Sequence, residues 1–263
     1  MATDAAPLPA RIVCLVPSLT EALFTLGLGD RVVGVTEWCV HPADALAALP
    51  RVGGTKNPEL EVIRSLEPDL VIANQEENTR RDVERLRESG IAVWVTYPRT
   101  VGEAVALLRE LATRGGRSGE LASVVEPIER AVAVALQQAP ARPTRCFCPI
   151  WKQPWMAVGS GTYADDLLTL CGGSNVFADR TERRYPLVRD EDIVTAQPEV
   201  ILLPDEPYAF GAPDVAELRQ LPVPAARDGR IHLIDGTLVS WYGPRIGRAI
   251  EALGRLLAQQ AGR

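Results

Sequence analysis

The chain has 263 residues, of which 46% are apolar and 24% are charged, and its formal net charge is −6. This length suffices for two lobes, each with its own hydrophobic core. The negative charge, with no basic stripe to offset it, excludes nucleic acid as a partner. No apolar run reaches the ~18 residues that a transmembrane segment needs, so we expect none.

The first ten residues contain neither a basic segment nor an apolar one, so they do not form a secretory signal. We expect residues 1–10 to be a flexible N-terminus. The five cysteines are odd in number, which, without an export signal, is typical of reduced thiols. The sequence as it stands therefore predicts residence in the cytoplasm. A signal segment upstream of Met1 would instead place the protein in the periplasm or elsewhere outside the cytoplasm.

Strands and helices alternate in the first half of the chain. The apolar run at residues 12–16 predicts a buried strand, and Ser18 with Glu21 has the spacing of a capping box that opens a helix. Further patterns predict strands at 31–35 and 92–96 and helices at 44–49, 80–88 and 100–112. This alternation predicts a parallel sheet whose ligand-binding loops follow the carboxyl ends of the strands.

One long helical pattern covers residues 120–138. It predicts a helix of roughly 30 Å, and Pro127 predicts a kink in that helix. The second half then has strand patterns at 145–150, 155–158 and 231–234 and helical patterns at 164–170 and 244–258. We therefore predict an α/β fold with an N-terminal lobe at 11–116, a linking helix at 117–140 and a C-terminal lobe at 141–263.

Two stretches of the chain, residues 61–78 and 192–207, repeat one pattern. Pro68-Asp69 in the first corresponds to Pro198-Glu199 in the second, and the interval is 130 positions for both residues (198 − 68, 199 − 69). Each proline ends a helix, because it cannot extend one and biases the residue before it toward extended geometry. A buried strand and then an acidic loop follow. The repeat predicts two similar α/β lobes.

Several motifs occur in a fixed order along nearly the whole chain. They are residues 11–23 (Arg-Ile-Val-Cys-Leu-Val-Pro-Ser-Leu-Thr-Glu-Ala-Leu), Gly34-Val35, residues 68–73 (Pro-Asp-Leu-Val-Ile-Ala), residues 172–177 (Gly-Gly-Ser-Asn-Val-Phe) and Gly243-Pro244-Arg245. As an ordered set, they resemble the helical-backbone substrate-binding proteins of ABC importers, and above all the cobalamin-binding proteins among them.

The resemblance implies two parallel-sheet lobes joined by a single long helix, with a corrinoid, haem or ferric siderophore bound in a cleft between the lobes. It implies a non-catalytic binding protein that requires no cofactor. Members of this family present one glutamate per lobe to an ABC permease, but this chain has Arg80-Arg81 where the first is expected. The glutamates that could substitute are Glu76, Glu77, Glu84, Glu206 and Glu217.

Aromatic side chains at predicted loops and strand ends suit a large, flat, partly apolar ligand. The alternative for them is ordinary packing of loops on the lobes. Only Trp94 falls in the middle of a predicted strand, as expected of a core residue. Polar side chains would fix the orientation of the ligand, and His41 is the candidate to contact a metal centre. The predicted ligand-binding residues are Glu37, Trp38, His41, Glu76, Trp151, Trp155, Tyr208, Trp241, Tyr242 and Arg245.

A metal site and an enzyme are the competing interpretations. Cys39 and His41 are the candidate metal ligands, and Glu37 adds a carboxylate in the same loop, so that three ligand types lie within five residues. The alternative is a buried Cys39 and a solvated His41. A cytoplasmic enzyme or metal-binding protein of the same fold could use these three residues or the acidic loops. The chain has only two histidines and no Gly-x-Ser-x-Gly elbow, so we expect no catalytic site.

Overall fold

Strands and helices alternate through most of the chain in the computed structural model, which describes residues 7–258. The strands are β1 (Ile12–Cys14), β2 (Val32–Val35), β3 (Leu70–Asn74), β4 (Ala92–Thr96), β5 (Thr144–Phe147), β6 (Pro149–Trp151), β7 (Trp155–Ala157), β8 (Gly173–Asn175), β9 (Leu187–Val188), β10 (Val200–Pro204) and β11 (Ile231–Ile234). The helices are α1 (Pro17–Thr25), α2 (Ala43–Leu46), α3 (Leu60–Ser65), α4 (Arg80–Glu88), α5 (Val101–Gly115), α6 (Ser118–Glu120), α7 (Glu126–Gln137), α8 (Tyr163–Leu170), α9 (Asp190–Ala196), α10 (Ala212–Leu218), α11 (Pro224–Arg227), α12 (Thr237–Ser240) and α13 (Ile246–Ala258). In this described part, no helix combines the length and the hydropathy that a membrane crossing requires.

The chain divides into two compact units. Among the described residues, the first unit consists of residues 7–98, Ala104–Pro127 and Tyr242–Pro244, and the second consists of Arg99–Glu103, Ile128–Trp241 and residues 245–258. The chain thus passes between the units five times, after residues 98, 103, 127, 241 and 244. This division differs from the predicted bounds after residues 116 and 140.

The sheet of the first unit has the order β2-β1-β3-β4, and all its strand pairs are parallel. The central strands β1 and β3 are buried at every residue, which is why their sequences are continuous apolar runs without alternation. Val13, Ile63, Val71 and Leu86 belong to the core that forms on this sheet. The predicted parallel α/β class is confirmed for this unit.

The second unit contains a four-stranded parallel sheet and a small antiparallel one. The parallel sheet has the order β11-β10-β5-β8, and β6, β7 and β9 form the antiparallel sheet. Its core brings Phe147 and Ile201 from the parallel sheet together with Trp155 and Phe177. The second unit is therefore also an α/β unit built on parallel strands.

In both units an equivalent corner directly precedes the strand that leads into the acidic loop. The main-chain N–H of Arg11 donates to Asp69 Oδ2 at 3.0 Å in the first unit. The main-chain N–H of Arg145 donates to Glu199 Oε2 at 3.0 Å in the second unit. Asp69 and Glu199 occupy the same position of the repeated pattern, so the sequence repeat is also a structural one.

The backbone of the corner is repeated as well. Glu67 and Gln197, which directly precede Pro68 and Pro198, each have a positive φ, of 45° and 47°. The guanidinium of Arg11 donates to the carbonyl oxygen of Glu67 at 3.0 Å, and that of Arg145 donates to the carbonyl oxygen of Gln197 at 3.3 Å. Because left-handed backbone is strained for residues with a side chain, these bonds help to hold both corners.

The first helix begins before the predicted capping box. Its first residue is Pro17, whose fixed φ suits this position and whose missing N–H is not needed there. Val16 precedes it as the N-cap without a side-chain hydrogen bond. Ser18 is buried inside the first turn, so the predicted capping role of Ser18 is wrong.

A π-helical turn, Leu121–Val125, interrupts the predicted long helix between α6 and α7. In this turn the N–H of Glu126 donates to the carbonyl oxygen of Leu121, five residues back. Pro127, which has no N–H to donate, follows at once. The predicted irregularity is therefore present, but it is a widened turn ahead of Pro127 rather than a simple kink at it.

Two expectations about burial are wrong. Residues 1–6 lie outside the described residues, but Leu8, in the expected flexible terminus, is buried and its N–H donates to the carbonyl oxygen of Arg114 at 2.8 Å. Trp94 is only half-buried because β4 is an edge strand. The Arg114 guanidinium lies 4.4 Å from the centre of the Trp94 ring, as in a cation–π contact.

Candidate functional site

The strand order of the first unit reverses between β1 and β3. From β1 the chain continues to β2 on one side, and from β3 it continues to β4 on the other. In open parallel sheets, ligands bind outside the carboxyl ends of the strands at such a reversal, the topological switch point. The switch point of this unit lies between the loop that precedes α1 and the loop at residues 75–79.

Residues of the first unit itself occupy this switch point. Tyr242 is buried, and its hydroxyl donates to Glu77 Oε1 at 3.0 Å, three residues beyond the end of β3. The next residue approaches α1 so closely that a Cβ on Gly243 would stand 3.1 Å from the carbonyl oxygen of Ser18. Burial, and then the charge of Glu77, raises the pKa of Tyr242 well above its ordinary value, so the hydroxyl stays a donor.

The loop after β2 carries the exposed aromatic side chain of the first unit. Trp38 is 64% exposed and Val40 is 50% exposed. Glu37 is exposed and His41 is half-buried. The sequence thus placed Glu37, Trp38 and His41 correctly at a strand end, but their contact with a ligand stays a prediction.

The structure does not support Cys39 as a metal ligand. Its side chain is fully buried, and its sulfur lies 3.2 Å from Thr20 Oγ1 and 3.1 Å from Thr36 Oγ1. Burial raises the pKa of the Cys39 thiol, which opposes the thiolate that a metal requires. Within residues 7–258, no group of three or more His, Cys, Asp or Glu residues could hold a metal ion. The proposed Cys39–His41 pair is corrected on this ground.

The switch point of the second unit lies between β5 and β10, because the chain leads from β5 to β8 on one side and from β10 to β11 on the other. Trp151 and Tyr208 follow these two strands. Their ring centres are 5.6 Å apart with an angle of 71° between the planes, the edge-to-face geometry that aromatic pairs favour. Trp151 is 45% exposed and Tyr208 is half-buried. The pair presents an aromatic surface where this fold class binds ligands.

Trp155 does not belong to that surface but to the core on which the surface packs. It is only 6% exposed, its ring stacks on Phe210 at 5.9 Å, and its Nε1 donates to Asp190 Oδ1 at 2.9 Å. Its predicted place among the exposed ligand-binding residues is therefore corrected. β7 is the middle strand of the antiparallel sheet, and Trp155 belongs to the core of this unit together with Phe147 and Phe177.

Lys152 is a half-buried cation beside this aromatic cluster, and it is not among the residues predicted from the sequence. Its Nζ donates to Asp214 Oδ1 at 2.7 Å and to Glu217 Oε2 at 2.6 Å, and it lies 5.0 Å from the centre of the Trp155 ring. Burial lowers the pKa of Lys152, but the two carboxylates outweigh burial and raise it. The sequence offered one indication of this position, because Lys152 lies between two tryptophans in the segment Trp-Lys-Gln-Pro-Trp at residues 151–155.

Trp241 and Arg245 form a further pair in the second unit. The Arg245 guanidinium lies 4.8 Å from the centre of the buried Trp241 ring and donates to Thr237 Oγ1 at 2.9 Å. Glu206 accepts a hydrogen bond from Ser240 Oγ at 2.6 Å. These contacts stabilise the last loop. Trp241 is 6% exposed, as buried as Trp155, so its predicted place among the exposed ligand-binding residues is corrected as well, while a role of Arg245 in ligand binding stays a prediction.

Among the glutamates considered for docking a permease, internal bonds engage Glu77, Glu206 and Glu217, as described above, and Glu84 Oε1 accepts a hydrogen bond from Arg80 Nε at 2.6 Å. Glu76 is half-buried, and its N–H donates to Asn74 Oδ1 at 2.7 Å. The main chain after β3 is thus fixed by a side chain of that strand. The part of these glutamates in docking stays a prediction.

Both units have a switch point and the repeated pattern of a strand followed by an acidic loop. Comparison with known proteins shows which family has this arrangement. The family model described as "Periplasmic binding protein" matches residues 12–237, which is most of the chain. The chain belongs to the periplasmic binding protein family. The resemblance drawn from the ordered motifs is thereby confirmed.

Relatives and solved structures agree with this membership. A vitamin B12-binding protein of Vibrio cholerae serotype O1 is 32% identical over 210 residues, which cover 79% of this chain and 75% of that protein. The crystal structure of the periplasmic vitamin B12 binding protein BtuF of Vibrio cholerae has a TM-score of 0.83 at 28% identity and covers 94% of this chain and 96% of its own. The periplasmic haem-binding protein RhuT from Roseiflexus sp. RS-1 has a TM-score of 0.75 at 25% identity, with 96% and 98% covered.

Proteins of this family bind substrates and do not transform them, so this periplasmic binding protein is not an enzyme. The predicted two-lobe α/β class is confirmed by the same comparisons. The alternative of a cytoplasmic enzyme that uses Glu37, Cys39 and His41 receives no support from them.

Proposed function

We propose that this periplasmic binding protein binds a corrinoid of the cobalamin type, with haem as the second candidate and a ferric siderophore as the third. The aromatic pair Trp151–Tyr208 at the switch point of the second unit carries the proposal. The relatives at 32% and 28% identity are named for vitamin B12, and a neighbour at 25% identity is named for haem.

The chemistry of the aromatic pair suits such ligands. A corrin or porphyrin ring is large, planar and partly apolar, and exposed indole and phenol rings bury such surface at a low cost in side-chain entropy. The stack of Trp155 on Phe210 holds the pair from beneath, so the surface is formed before the ligand arrives. The contribution of Glu37, Trp38, His41, Glu76 and Arg245 is a prediction that the same experiment tests.

Titration calorimetry of the full chain with cobalamin, cobinamide, haemin and a ferric siderophore tests the proposal. We expect cobalamin to bind and to quench tryptophan emission. Trp151→Ala should weaken binding by about 2 kcal/mol, as for a buried aromatic anchor. Trp94→Ala, on the edge strand of the first unit, is the matched control and should leave affinity unchanged. Failure of all four ligands to bind would overturn the proposal.

We also propose an ABC permease as the partner, because the ordered motifs of the chain resemble those of the substrate-binding proteins of ABC importers. Glu217 has the more exposed carboxylate of the two that bind Lys152, so it is the candidate contact in the second unit. Glu217→Gln should then weaken capture of the liganded protein by permease in nanodiscs while cobalamin affinity is unchanged. Equal capture of both variants would exclude Glu217. The cellular compartment stays a prediction, which fractionation of the native host tests.

A further inference from the structure

β11 is the edge strand of the parallel sheet in the second unit, where it pairs with β10 alone among the described strands. The carbonyl oxygens of Arg230 and Ile234 accept hydrogen bonds from the β10 side at 3.0 and 3.2 Å. In a parallel ladder, every second residue of a strand bonds to the same neighbour. The main-chain groups of Ile231 and Leu233 therefore face away from β10, toward the open edge.

A groove of about 450 Å³ runs beside this edge. One of its walls is α10 with the residue that follows it, through positions at the spacing of a single helix face: Ala212, Val215 and Ala216 of the helix and Arg219 just after it. Leu256 of α13 and the β11 residues complete the lining. Leu233 is 51% exposed although it is a large apolar residue. An apolar groove along an unpaired strand has the form that receives an added strand.

Two polar groups of the groove lack partners. Arg219 is exposed and makes no ion pair with any residue in the described part of the chain. His232 Nε2 is buried without a hydrogen-bond partner. The exposed guanidinium adds a preference for a carboxylate.

We propose that β11 binds an extended polypeptide segment of another protein, which joins the sheet as an additional strand. The segment places an apolar side chain against Leu233 and Val215 and an aspartate or glutamate beside Arg219. Its main chain pairs with the outward groups of Ile231 and Leu233.

A second copy of this chain fits the groove less well than an acidic segment of another protein. The acids that flank β11 are already engaged: Asp228 accepts hydrogen bonds from the Arg227 guanidinium at 2.8 and 2.9 Å, and Asp235 Oδ1 accepts the N–H of Thr237 at 3.0 Å. Pairing of β11 with its own copy would therefore bring no unengaged carboxylate to Arg219. The charge of the groove favours an acidic partner.

Amide exchange measured by NMR on the full chain tests this proposal. The probe is a short capped peptide of alternating valine and threonine with one glutamate, compared with the same peptide that carries lysine instead. With the glutamate peptide at about ten times its Kd, exchange of the Ile231 and Leu233 amides should slow by about tenfold. The His232 amide, which faces β10, should not change. The lysine peptide should bind more weakly.

Arg219→Glu should reverse the preference between the two peptides. Arg81→Glu, which alters an exposed arginine of α4 in the first unit, is the matched control and should preserve it. Both variants should bind cobalamin as the unaltered protein does. Unchanged exchange at Ile231 and Leu233, or equal binding of both peptides, would overturn the proposal. Slow exchange without peptide that depends on protein concentration would also overturn it, in favour of a second copy.

Discussion

The hydroxyl of Tyr242 donates a hydrogen bond to Glu77 Oε1 at 3.0 Å, although 165 positions separate the two residues. Both residues belong to the first unit, where the bond lies at the switch point between β1 and β3. Residues 242–244 thereby occupy the place where this unit, taken alone, would be expected to bind a ligand. The open aromatic surface is instead found at the switch point of the second unit.

Tyr242→Phe should lower the free energy of unfolding by about 2 kcal/mol, since a hydrogen bond to a charged group is lost at a buried position. Urea unfolding followed by circular dichroism measures the change. A double-mutant cycle with Glu77→Gln isolates the pair. A coupling energy near zero would mean that the hydroxyl contributes nothing through Glu77.

Trp155→Ala should destabilise the protein by about 3–5 kcal/mol, because it removes a core indole that stacks on Phe210 and contacts the Lys152 ammonium. Trp94→Ala should cost clearly less, since Trp94 is half-buried on an edge strand. Thermal or urea unfolding compares the two variants. If Trp94→Ala were the more damaging substitution, the assignment of the two indoles to edge and core would be wrong.

The stability of the protein should fall as the pH drops through 6.5, in part because of His232. Burial, and then the charge of Arg230, lowers the pKa of His232 below its ordinary value of 6.5. Between the two pKa values the unfolded chain binds more protons than the folded one, so protonation favours unfolding. His232→Gln should therefore flatten the decline below pH 6.5 in urea unfolding. The same slope in both proteins would contradict this role.

Alkylation of Cys39 by iodoacetamide should be more than about tenfold slower in the native protein than in urea, because the thiol is buried and its raised pKa keeps it protonated. Mass spectrometry of tryptic peptides measures the rates site by site. Cys171, which is half-buried, provides an internal comparison. Added Zn²⁺ should not change the rate at Cys39; protection by zinc would restore the metal-site interpretation.

The sequence by itself determined the repeated α/β pattern and the ends of several strands. The signals are local: apolar runs form buried strands, and Pro68 and Pro198 end the helices before them. Arg11 and Arg145 then close equivalent corners on Asp69 and Glu199. Because each corner follows from the residues around it, two copies of one pattern give two copies of one structure. The exposed Trp38 and Trp151 were also found from their places at strand ends.

Only the tertiary structure decided which tryptophans are exposed and where the open switch point lies. Trp94 and Trp155 both lie in strands, but β4 is at the edge of its sheet while β7 is the middle strand of its own. Neither sequence segment encodes this strand order. Likewise, nothing near Tyr242 in the sequence indicates that it binds Glu77. Such contacts join residues far apart in the chain, so they depend on how the strands are ordered and packed rather than on local propensity.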